Sequence, residues 1–312
     1  MRLLLIGCTG FVGRELIPQL ISNGHHLTVV SRKKAEGFTS DLPRDQLTRL
    51  QLNPADPQHW QEENLIKALA EAEGVINLAG EPIAEKRWTA THCLELQSSR
   101  LKTTRGLINA MNQLRRPPRV LINASAIGYY GTSPSLQFTE ESQSGDDFLA
   151  KLCEQWEAAA AKKPRSTRLI IFRIGIVLAP DGGALGKMLP VFKAGLGGPI
   201  GDGRQWMSWV HRTDLCQMIQ QALNNKSWSG VINAVSPKAI SMSTFATDLG
   251  KVLGRPSLLP VPGPILKLLL GDGARIVLEG QQVQSTRLSK LGYQFKYPEL
   301  KKALSAITKP SD

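Results

Sequence analysis

Short apolar segments alternate with amphipathic ones over the first 175 residues. The apolar segments, such as LLLI at residues 3–6 and LIIF at 169–172, have the length of strands buried on both faces. The amphipathic segments place apolar residues at helical spacing, as in LIPQLI at 16–21. This alternation predicts a parallel sheet with helices on both faces. The predicted strands are residues 3–6, 26–30, 49–52, 74–78, 120–124 and 169–173, and the predicted helices are 11–23, 64–72, 88–114 and 148–161.

The pattern changes after residue 177. Residues 179–206 hold eleven glycines and prolines, and a loop-rich segment of this length is normally functional, as a lid or a binding surface. Helices are predicted at 213–224 and 245–253, and a strand at 231–234. We therefore expect a sheet domain over residues 1–175. Residues 176–312 are expected to form mostly a smaller cap, with some of the chain crossing back to the first domain.

One apolar segment has two interpretations. Residues 258–270 are rich in leucine but are interrupted by Pro260, Pro262 and Pro264, and the tail at 281–307 is basic. We prefer the interpretation that these leucines form core of the cap domain. The alternative is that they lie on an anionic membrane surface or dock a protein partner.

Composition narrows the class of protein. Lys and Arg number 38 against 26 Asp and Glu, a formal charge of +12, which attracts phosphates, nucleic acid or anionic membrane. No nucleic-acid partner is expected, because no helix-turn-helix, RNA-binding aromatic platform or basic recognition helix stands out. The four cysteines are scattered without C-x-x-C, so neither a disulfide scaffold nor a metal site is expected. No signal peptide and no apolar run of ~18 residues is found, which predicts a cytoplasmic protein.

The strongest motif is a glycine-rich turn after the first strand. Gly7-Cys8-Thr9-Gly10-Phe11-Val12-Gly13 follows a predicted strand and opens a predicted helix. In such a turn the first glycine permits the tight bend, the second lets the backbone approach a pyrophosphate, and the third lets the helix pack on the strand. The helix N-terminus then offers unpaired N–H groups to the anion. We therefore predict a dinucleotide site formed by Gly7, Thr9, Gly10, Phe11, Val12 and Gly13.

The end of the second predicted strand indicates which dinucleotide binds. Proteins that select NAD usually place Asp or Glu there, against the ribose 2′-OH. This chain has Ser31, Arg32 and Lys33 instead. Because Arg can bind a 2′-phosphate bidentately, we predict NADP(H) rather than NAD(H). The alternative is a solvated basic turn.

Two further strand ends belong to the predicted crevice, since ligands of such sheets bind at the carboxyl ends of the strands. Leu78, Ala79 and Gly80 end the fourth strand and are expected beside the adenine ribose or the diphosphate. Ile174 ends the sixth strand and is expected near the nicotinamide.

These segments together resemble the extended short-chain dehydrogenase/reductase superfamily, and in detail its YfcH-like "epimerase family" branch, which includes giant-chloroplast or cell-division-inhibitor-like members. The resemblance implies a Rossmann-type, doubly wound parallel sheet of the α/β class that binds NADP(H), with a smaller C-terminal α+β cap domain over the substrate crevice. It also implies that Glu95 and Arg100 lie near the cofactor. The matching segments are GCTGFVGREL, VVSRK, VINLAGE, SSRLKTT, NASAIGYYG, FLAKLCEQWEAAA, RIGIVL, GLGGPIGDGRQWMSWVHRTDL and GYQFKYPEL.

The same resemblance leaves the catalytic set incomplete. In that superfamily a Ser or Thr holds the substrate oxygen, and a Tyr paired with a Lys in Y-x-x-x-K exchanges the proton. Ser125 is in the expected place, but the predicted helix 148–161 contains no Tyr. One register of this helix puts Asp147 and Lys151 at the two positions, and the other puts Leu149 and Cys153 there.

Three residues are candidates for the missing roles. Tyr129 and Tyr130 follow Ser125 on a loop, and one of them is a candidate proton donor; the alternative is that they pack or line the substrate pocket. Lys151 either contacts the ribose or lies on an exposed helix face. In the glycine-rich block, Asp214 is expected to cap the following helix, and Trp206 either stacks on a nucleotide or is buried.

Two functions follow. The first is an NADP(H)-dependent oxidoreductase or nucleotide-sugar epimerase-like enzyme that lacks the usual tyrosine, with an unknown small-molecule substrate. The second is a cofactor-bound regulatory or binding protein without turnover, linked for example to cell or plastid division or to a membrane.

Overall fold

The structure, a computed structural model, describes residues 1–32, 42–43 and 45–309. Its strands are β1 (Arg2–Ile6), β2 (His26–Ser31), β3 (Leu47–Gln51), β4 (Gly74–Asn77), β5 (Val120–Ala126), β6 (Gln137–Phe138), β7 (Arg168–Ile174), β8 (Ile176–Leu178), β9 (Trp206–Met207), β10 (Trp209–His211), β11 (Gly230–Ala234), β12 (Ile240–Ser241) and β13 (Gln282–Val283). Its α-helices are α1 (Gly13–Ser22), α2 (Glu63–Glu71), α3 (Ala90–Gln113), α4 (Phe148–Ala161), α5 (Gly183–Lys193), α6 (Arg212–Asn224), α7 (Met242–Leu253), α8 (Gly263–Leu270), α9 (Arg275–Leu278), α10 (Thr286–Lys290) and α11 (Leu300–Thr308). Short 3₁₀ turns cover Pro57–Gln61, Ile127–Tyr130 and Asp272–Ala274.

Seven parallel strands form the central sheet in the order β11-β7-β5-β4-β1-β2-β3. Leu3 of β1 pairs with Leu27 of β2 on one side and with Gly74 of β4 on the other. The chain runs outward from β1 to β3 and then returns to β4, so the strand order reverses beside β1. A crevice therefore opens at the carboxyl ends of β1 and β4. The predicted α/β fold with a doubly wound parallel sheet is confirmed.

Helices cover both faces of this sheet, as its fully apolar strands require. On one face α1 and α6 pack through residues such as Leu16 and Leu215, both completely buried. On the other face α2 and α3 contribute Leu65 and Leu107, which are also completely buried. Helix α4 packs beside α3 through Leu152 and Trp156.

The chain returns to the sheet after residue 176. Strand β11 pairs with β7 as the seventh strand, and α6 packs on α1 in the sheet's own core. A separate hydrophobic core lies among the C-terminal elements, where α5, α7 and α11 meet through Phe192, Phe245 and Leu304. Short two-stranded pairs join these elements, namely β8 with β10, β9 with β12 and β6 with β13.

The expectation that the leucines of residues 258–270 form core of the cap is wrong. Helix α8 has no buried residue, and Leu258, Leu268 and Leu269 are 82%, 70% and 60% exposed. The physical reason is that α5, α7 and α11 already fill the cap core. Helix α8 instead lies on the rim, where its last turn is bound through the backbone: Trp88 N donates to Leu270 O at 3.0 Å.

Over the described parts of the chain, none of the helices combines the length and the apolar character needed to cross a bilayer.

Candidate functional site

The three loop glycines occupy different environments. Gly7 has φ +71°, and a Cβ there would lie 2.4 Å from Ala79 Cα. At Gly13 a Cβ would lie 1.6 Å from Cys8 O, so α1 approaches β1 too closely for any side chain. At Gly10 a Cβ would meet no described atom within 4 Å. Packing therefore requires glycine at positions 7 and 13, whereas Gly10 faces open space, where a ligand can approach.

The loop also offers free hydrogen-bond donors. Helix α1 begins at Gly13, and the first backbone bond of its turn runs from Arg14 N to Gly10 O at 3.1 Å. The amides of Phe11 and Val12 have no acceptor among the described residues. Unpaired amides at the N-terminus of a helix form an anion-binding site. These observations fit the pyrophosphate of a dinucleotide.

The end of β2 lies beside this loop. The hydroxyls of Thr9 and Ser31 are 3.5 Å apart. Arg32 Nη2 lies 3.2 Å from Glu81 Oε2, and the Arg32 side chain is 59% exposed. The structure therefore brings Thr9, Ser31 and Arg32 together, while Lys33 lies outside the described residues.

The end of β4 forms the opposite wall. Leu78 N donates to Ile6 O at 2.9 Å, and Ala79 packs on Gly7. A Cβ at Gly80 would lie 2.9 Å from the Cζ of Arg100. Arg100 donates to the carbonyls of Leu96 at 3.1 Å and Glu81 at 3.0 Å. Arg100 therefore stabilises the backbone after β4 through these hydrogen bonds.

Glu95 takes part in a different set of contacts. Its carboxylate lies 3.3 Å from His92 Nδ1 and 3.6 Å from Lys86 Nζ. Lys86 in turn reaches Glu81 at 3.1 Å. Within the described residues, Glu95 is therefore connected to the Arg32 region through Lys86 and Glu81.

A buried polar network lies at the ends of β5 and β7. Ser125 is opposite Arg173 in the pairing of the two strands. Ser125 Oγ donates to Glu157 Oε1 of α4 at 2.6 Å. Arg173 binds the same carboxylate through Nε and Nη2, both at 2.8 Å. The proton of Ser125 is therefore engaged by Glu157, and Ser125 Oγ can act toward a ligand only as an acceptor.

The two tyrosines of the following turn have different surroundings. The Tyr130 hydroxyl accepts from Arg173 Nη1 at 2.9 Å and donates to Asn233 Oδ1 at 2.7 Å. Burial, only partly offset by Arg173 and Asn233, raises the pKa of Tyr130 to about 12. The Tyr129 ring stacks on the Arg173 guanidinium at 3.3 Å, and its hydroxyl has no hydrogen-bond partner among the described residues. Of the pair, Tyr129 is the one with a free hydroxyl.

Helix α4 turns Leu149 and Cys153, one of the two pairs left open by the sequence, toward the end of β5. Cys153 is buried beside Ser125, and Leu149 faces Gly128 of the turn after β5. Burial raises the pKa of the Cys153 thiol to about 11. Lys151 is exposed, and Asp147 caps α4 by accepting from Ala150 N at 2.9 Å. Among Asp147, Leu149, Lys151 and Cys153, it is Leu149 and Cys153 that lie nearest the turn after β5 and Ser125.

The glycine-rich block contains one wrong expectation. His211, not Asp214, caps α6: its Nδ1 accepts from Thr213 N at 3.1 Å. Asp214 lies one turn further along and accepts from Lys296 N at 2.7 Å and Tyr297 N at 3.0 Å. It therefore secures the C-terminal tail, a role that no local pattern indicates. Trp206 is half-buried, and its indole donates to Pro134 O at 2.9 Å.

A cavity of about 530 Å³ opens next to Tyr130. Its walls come from the segment 131–147 and from Arg275, and most of its polar side chains carry hydroxyl or amide groups. Such a lining suits a ligand with several hydrogen-bonding groups.

Sequence reasoning missed Glu157 and Asn233 and did not assign a role to the Arg173 side chain. The signal for Glu157 was its place in the segment FLAKLCEQWEAAA. Its position opposite Ser125 depends on how α4 packs on the sheet, which the local sequence does not contain.

Comparison with known proteins identifies the fold family. The profile of the NAD dependent epimerase/dehydratase family matches residues 3–234, and a domain of unknown function (DUF1731) matches residues 261–307. The chain belongs to the NAD-dependent epimerase/dehydratase family. It is thus a member of the extended short-chain dehydrogenase/reductases, whose Rossmann-type domain binds NAD(P).

Relatives share this architecture over the whole length. The chain is 41% identical over 309 residues to the chloroplastic "Epimerase family protein SDR39U1 homolog" of Arabidopsis thaliana, covering 98% of this chain and 86% of the relative. It is 37% identical over 311 residues to the human epimerase family protein SDR39U1, covering 98% and 99%.

Solved structures with the same fold include a relative of similar sequence. The crystal structure of the human epimerase family protein SDR39U1 with NADPH superposes with a TM-score of 0.86 at 36% identity, covering 98% of this chain and 99% of the other. A UDP-glucuronic acid 4-epimerase from Bacillus cereus has a TM-score of 0.78 at 18% identity, over 98% of each chain, and shows the fold alone.

Proposed function

We propose that this member of the epimerase/dehydratase family is an NADP(H)-dependent oxidoreductase or epimerase-like enzyme acting on a hydroxyl or carbonyl compound, with nucleotide sugars as candidate substrates. The observation that carries the proposal is the glycine loop, where Gly10 and the unpaired amides of Phe11 and Val12 leave room and donors for a pyrophosphate. The NADPH bound by the human relative supports the choice of cofactor. We expect the protein to be cytoplasmic.

Arg32 is the proposed 2′-phosphate ligand. Its guanidinium is exposed and lies at the end of β2, beside Ser31 and Thr9, where the adenine ribose of a dinucleotide binds in this fold. A guanidinium binds a phosphate through parallel hydrogen bonds, and a carboxylate at the same place would repel it.

The cofactor assignment is tested by the affinities for NADPH and NADH. We expect wild-type protein to bind NADPH more tightly, as measured by the fluorescence of the reduced nicotinamide or by calorimetry. Arg32→Asp is expected to weaken NADPH binding by at least about tenfold, a loss of ~1.4 kcal/mol, with little effect on NADH. An unchanged affinity ratio would contradict the role of Arg32.

The reacting group is proposed to lie between Ser125 and Tyr129. When bound, the nicotinamide accepts or supplies the hydride. Ser125 Oγ, whose proton is held by Glu157 at 2.6 Å, orients the substrate by accepting a hydrogen bond from a substrate hydroxyl next to the reacting oxygen. Tyr129, whose hydroxyl is free, exchanges the proton with the substrate oxygen. Lys151 is exposed on α4, so a contact with the ribose stays a prediction for the bound state.

The catalytic roles are tested by turnover of NADPH with a panel of carbonyl compounds and nucleotide sugars. Tyr129→Phe should lower kcat by about 10²-fold or more, the usual contribution of a positioned proton donor, without changing the Kd for NADPH. Tyr130→Phe is the matched control. It removes a hydroxyl that is hydrogen-bonded to Arg173 and Asn233, and it should lower the free energy of unfolding. If both variants retain wild-type turnover, the donor lies elsewhere.

A second candidate function is a cofactor-bound regulatory or binding protein without turnover. It is favoured by the sequence of α4, Phe148–Ala161, which contains no tyrosine where the superfamily's Y-x-x-x-K is expected. It predicts tight NADPH binding with no product from any member of the substrate panel. The same panel therefore separates the two candidates.

A further inference from the structure

The side chains of Arg32 and Glu81 meet over the end of β1. Arg32 follows β2 and Glu81 follows β4, and these strands flank β1 on its two sides. The two side chains nevertheless lie 3.2 Å apart, from Nη2 to Oε2. The other oxygen of Glu81 lies 3.1 Å from Lys86 Nζ. A single carboxylate thus occupies the space between two cations at the edge of the glycine loop.

The carboxylate is largely buried, whereas the two cations are exposed. The Glu81 side chain is only 14% exposed, against 59% for Arg32 and 57% for Lys86. The Glu81 backbone is held on both sides, since its N–H donates to Ser99 Oγ at 3.0 Å and its carbonyl accepts from Arg100 at 3.0 Å. Burial opposes its charge, but Lys86 and Arg32 outweigh burial and keep the pKa of Glu81 below its usual value.

We propose that Glu81 is a specificity-determining residue that competes with the cofactor's 2′-phosphate for Arg32 and Lys86. This inference rests on the proposed assignment of Arg32 as the 2′-phosphate ligand. A 2′-phosphate carries a charge of about −1.5 to −2 at neutral pH. To bind, it must draw Arg32 away from Glu81 and tolerate the nearby carboxylate.

The same carboxylate has the opposite effect on NAD(H). A carboxylate can accept a hydrogen bond from a free ribose 2′-OH, as the acidic residue of NAD-selective Rossmann domains does. In this chain the end of β2 carries no such residue, and Glu81 reaches the region from β4 instead. Glu81 therefore reduces the preference for NADP(H) that Arg32 creates.

The test compares the Kd values of NADPH and NADH in wild type, Glu81→Gln and Glu71→Gln, at low and high salt. Glu81→Gln keeps the shape and removes the charge. We expect it to tighten NADPH about three- to tenfold, because an exposed ion pair and a like-charge contact are each worth only about two- to fivefold. NADH binding should stay constant or weaken. The gain should shrink at high salt.

Glu71→Gln is the matched control, because Glu71 forms an exposed ion pair with Arg2 at 2.9 Å, at the start of β1 and away from the carboxyl ends of the strands. It should change the affinity ratio by less than about twofold. A ratio in Glu81→Gln equal to that of wild type, or weaker NADPH binding, would overturn the inference and point to Glu81 as a support for Arg32. Wild-type protein that binds neither dinucleotide, or prefers NADH, would overturn the proposed cofactor itself. Melting temperatures equal to wild type establish that both variants fold.

Discussion

At the scale of single residues, the fold requires glycine at position 13, whereas at position 10 we expect glycine to be required for cofactor binding. A Cβ at position 13 would collide with the Cys8 carbonyl at 1.6 Å, whereas one at position 10 would meet no described atom within 4 Å. Gly13→Ala should therefore destabilise the protein by about 1–3 kcal/mol or more. Gly10→Ala should change stability by less than about 0.5 kcal/mol and weaken NADPH binding by at least about tenfold.

Denaturant unfolding of the two variants without cofactor, followed by titration with NADPH, checks this contrast. Unchanged NADPH affinity in Gly10→Ala would mean that the cofactor does not approach the loop at that residue.

Residue-level chemistry could be predicted from the sequence where it depends on a local pattern. The glycine turn and the place of Ser125 follow from a strand end and the few residues after it. The partners of Ser125 do not, because Glu157 lies 32 residues away in the chain and the Tyr130–Asn233 bond spans 103. Which of two adjacent tyrosines keeps a free hydroxyl is decided by those distant partners.

At the scale of secondary structure elements, one buried ion pair joins α4 to the sheet. Arg173 of β7 and Glu157 of α4 are 4% and 11% exposed at their side chains and 2.8 Å apart. Although burial opposes its charge, Glu157 and Tyr130 hold the pKa of Arg173 above its ordinary value. Removal of the carboxylate would leave this guanidinium buried without a counter-charge.

Glu157→Ala should therefore lower the free energy of unfolding by about 3–5 kcal/mol. Glu154→Ala, on the exposed face of the same helix, is the control. It should change the free energy of unfolding by less than about 0.5 kcal/mol. Urea unfolding measures both. A loss below about 1 kcal/mol in Glu157→Ala would mean that water or another group compensates Arg173.

Helix α8 shows how composition alone misleads at this scale. Its leucines predicted a core element, but packing depends on whether a partner face is available, and the cap core is filled by α5, α7 and α11. Leu268→Ala and Leu269→Ala should each change stability by less than about 0.5 kcal/mol. Leu304→Ala, at a completely buried position of α11, should cost about 2–5 kcal/mol.

Thermal and urea unfolding at low protein concentration measure the stability of these three variants relative to wild type. A large cost at Leu268 or Leu269 would show that the face is covered in solution.

At the scale of the whole molecule, the C-terminal tail is attached to the sheet layer at α6. Asp214 accepts from the backbone of the tail, and the His211 ring stacks on Tyr297 at a centroid distance of 4.0 Å. The tail segment GYQFKYPEL was recognisable as a motif, but its attachment point was not, because the contacts span 79 to 83 residues. The parallel sheet and its two helical layers, by contrast, were predicted from the alternation of strands and helices.

This attachment should make stability depend on pH through His211. Burial, helped by the charges of Arg212 and Lys296, lowers the pKa of His211 to about 4, whereas unfolding returns it to about 6.5. Between these values the unfolded chain binds more protons than the folded chain, so acid favours unfolding. His211 therefore contributes stability that is complete above pH about 6.5 and is lost as the pH falls toward about 4.

His211→Asn isolates this contribution, because Asn is also a good N-cap but does not titrate. We expect the melting temperature of wild type to fall more steeply than that of His211→Asn between pH about 6.5 and 4.5. His26→Asn, at an exposed position of β2, should keep the wild-type slope. If the melting temperatures of wild type and His211→Asn fall in parallel with pH, the imidazole stays accessible to protons in the folded protein. The tail would then not bury the start of α6.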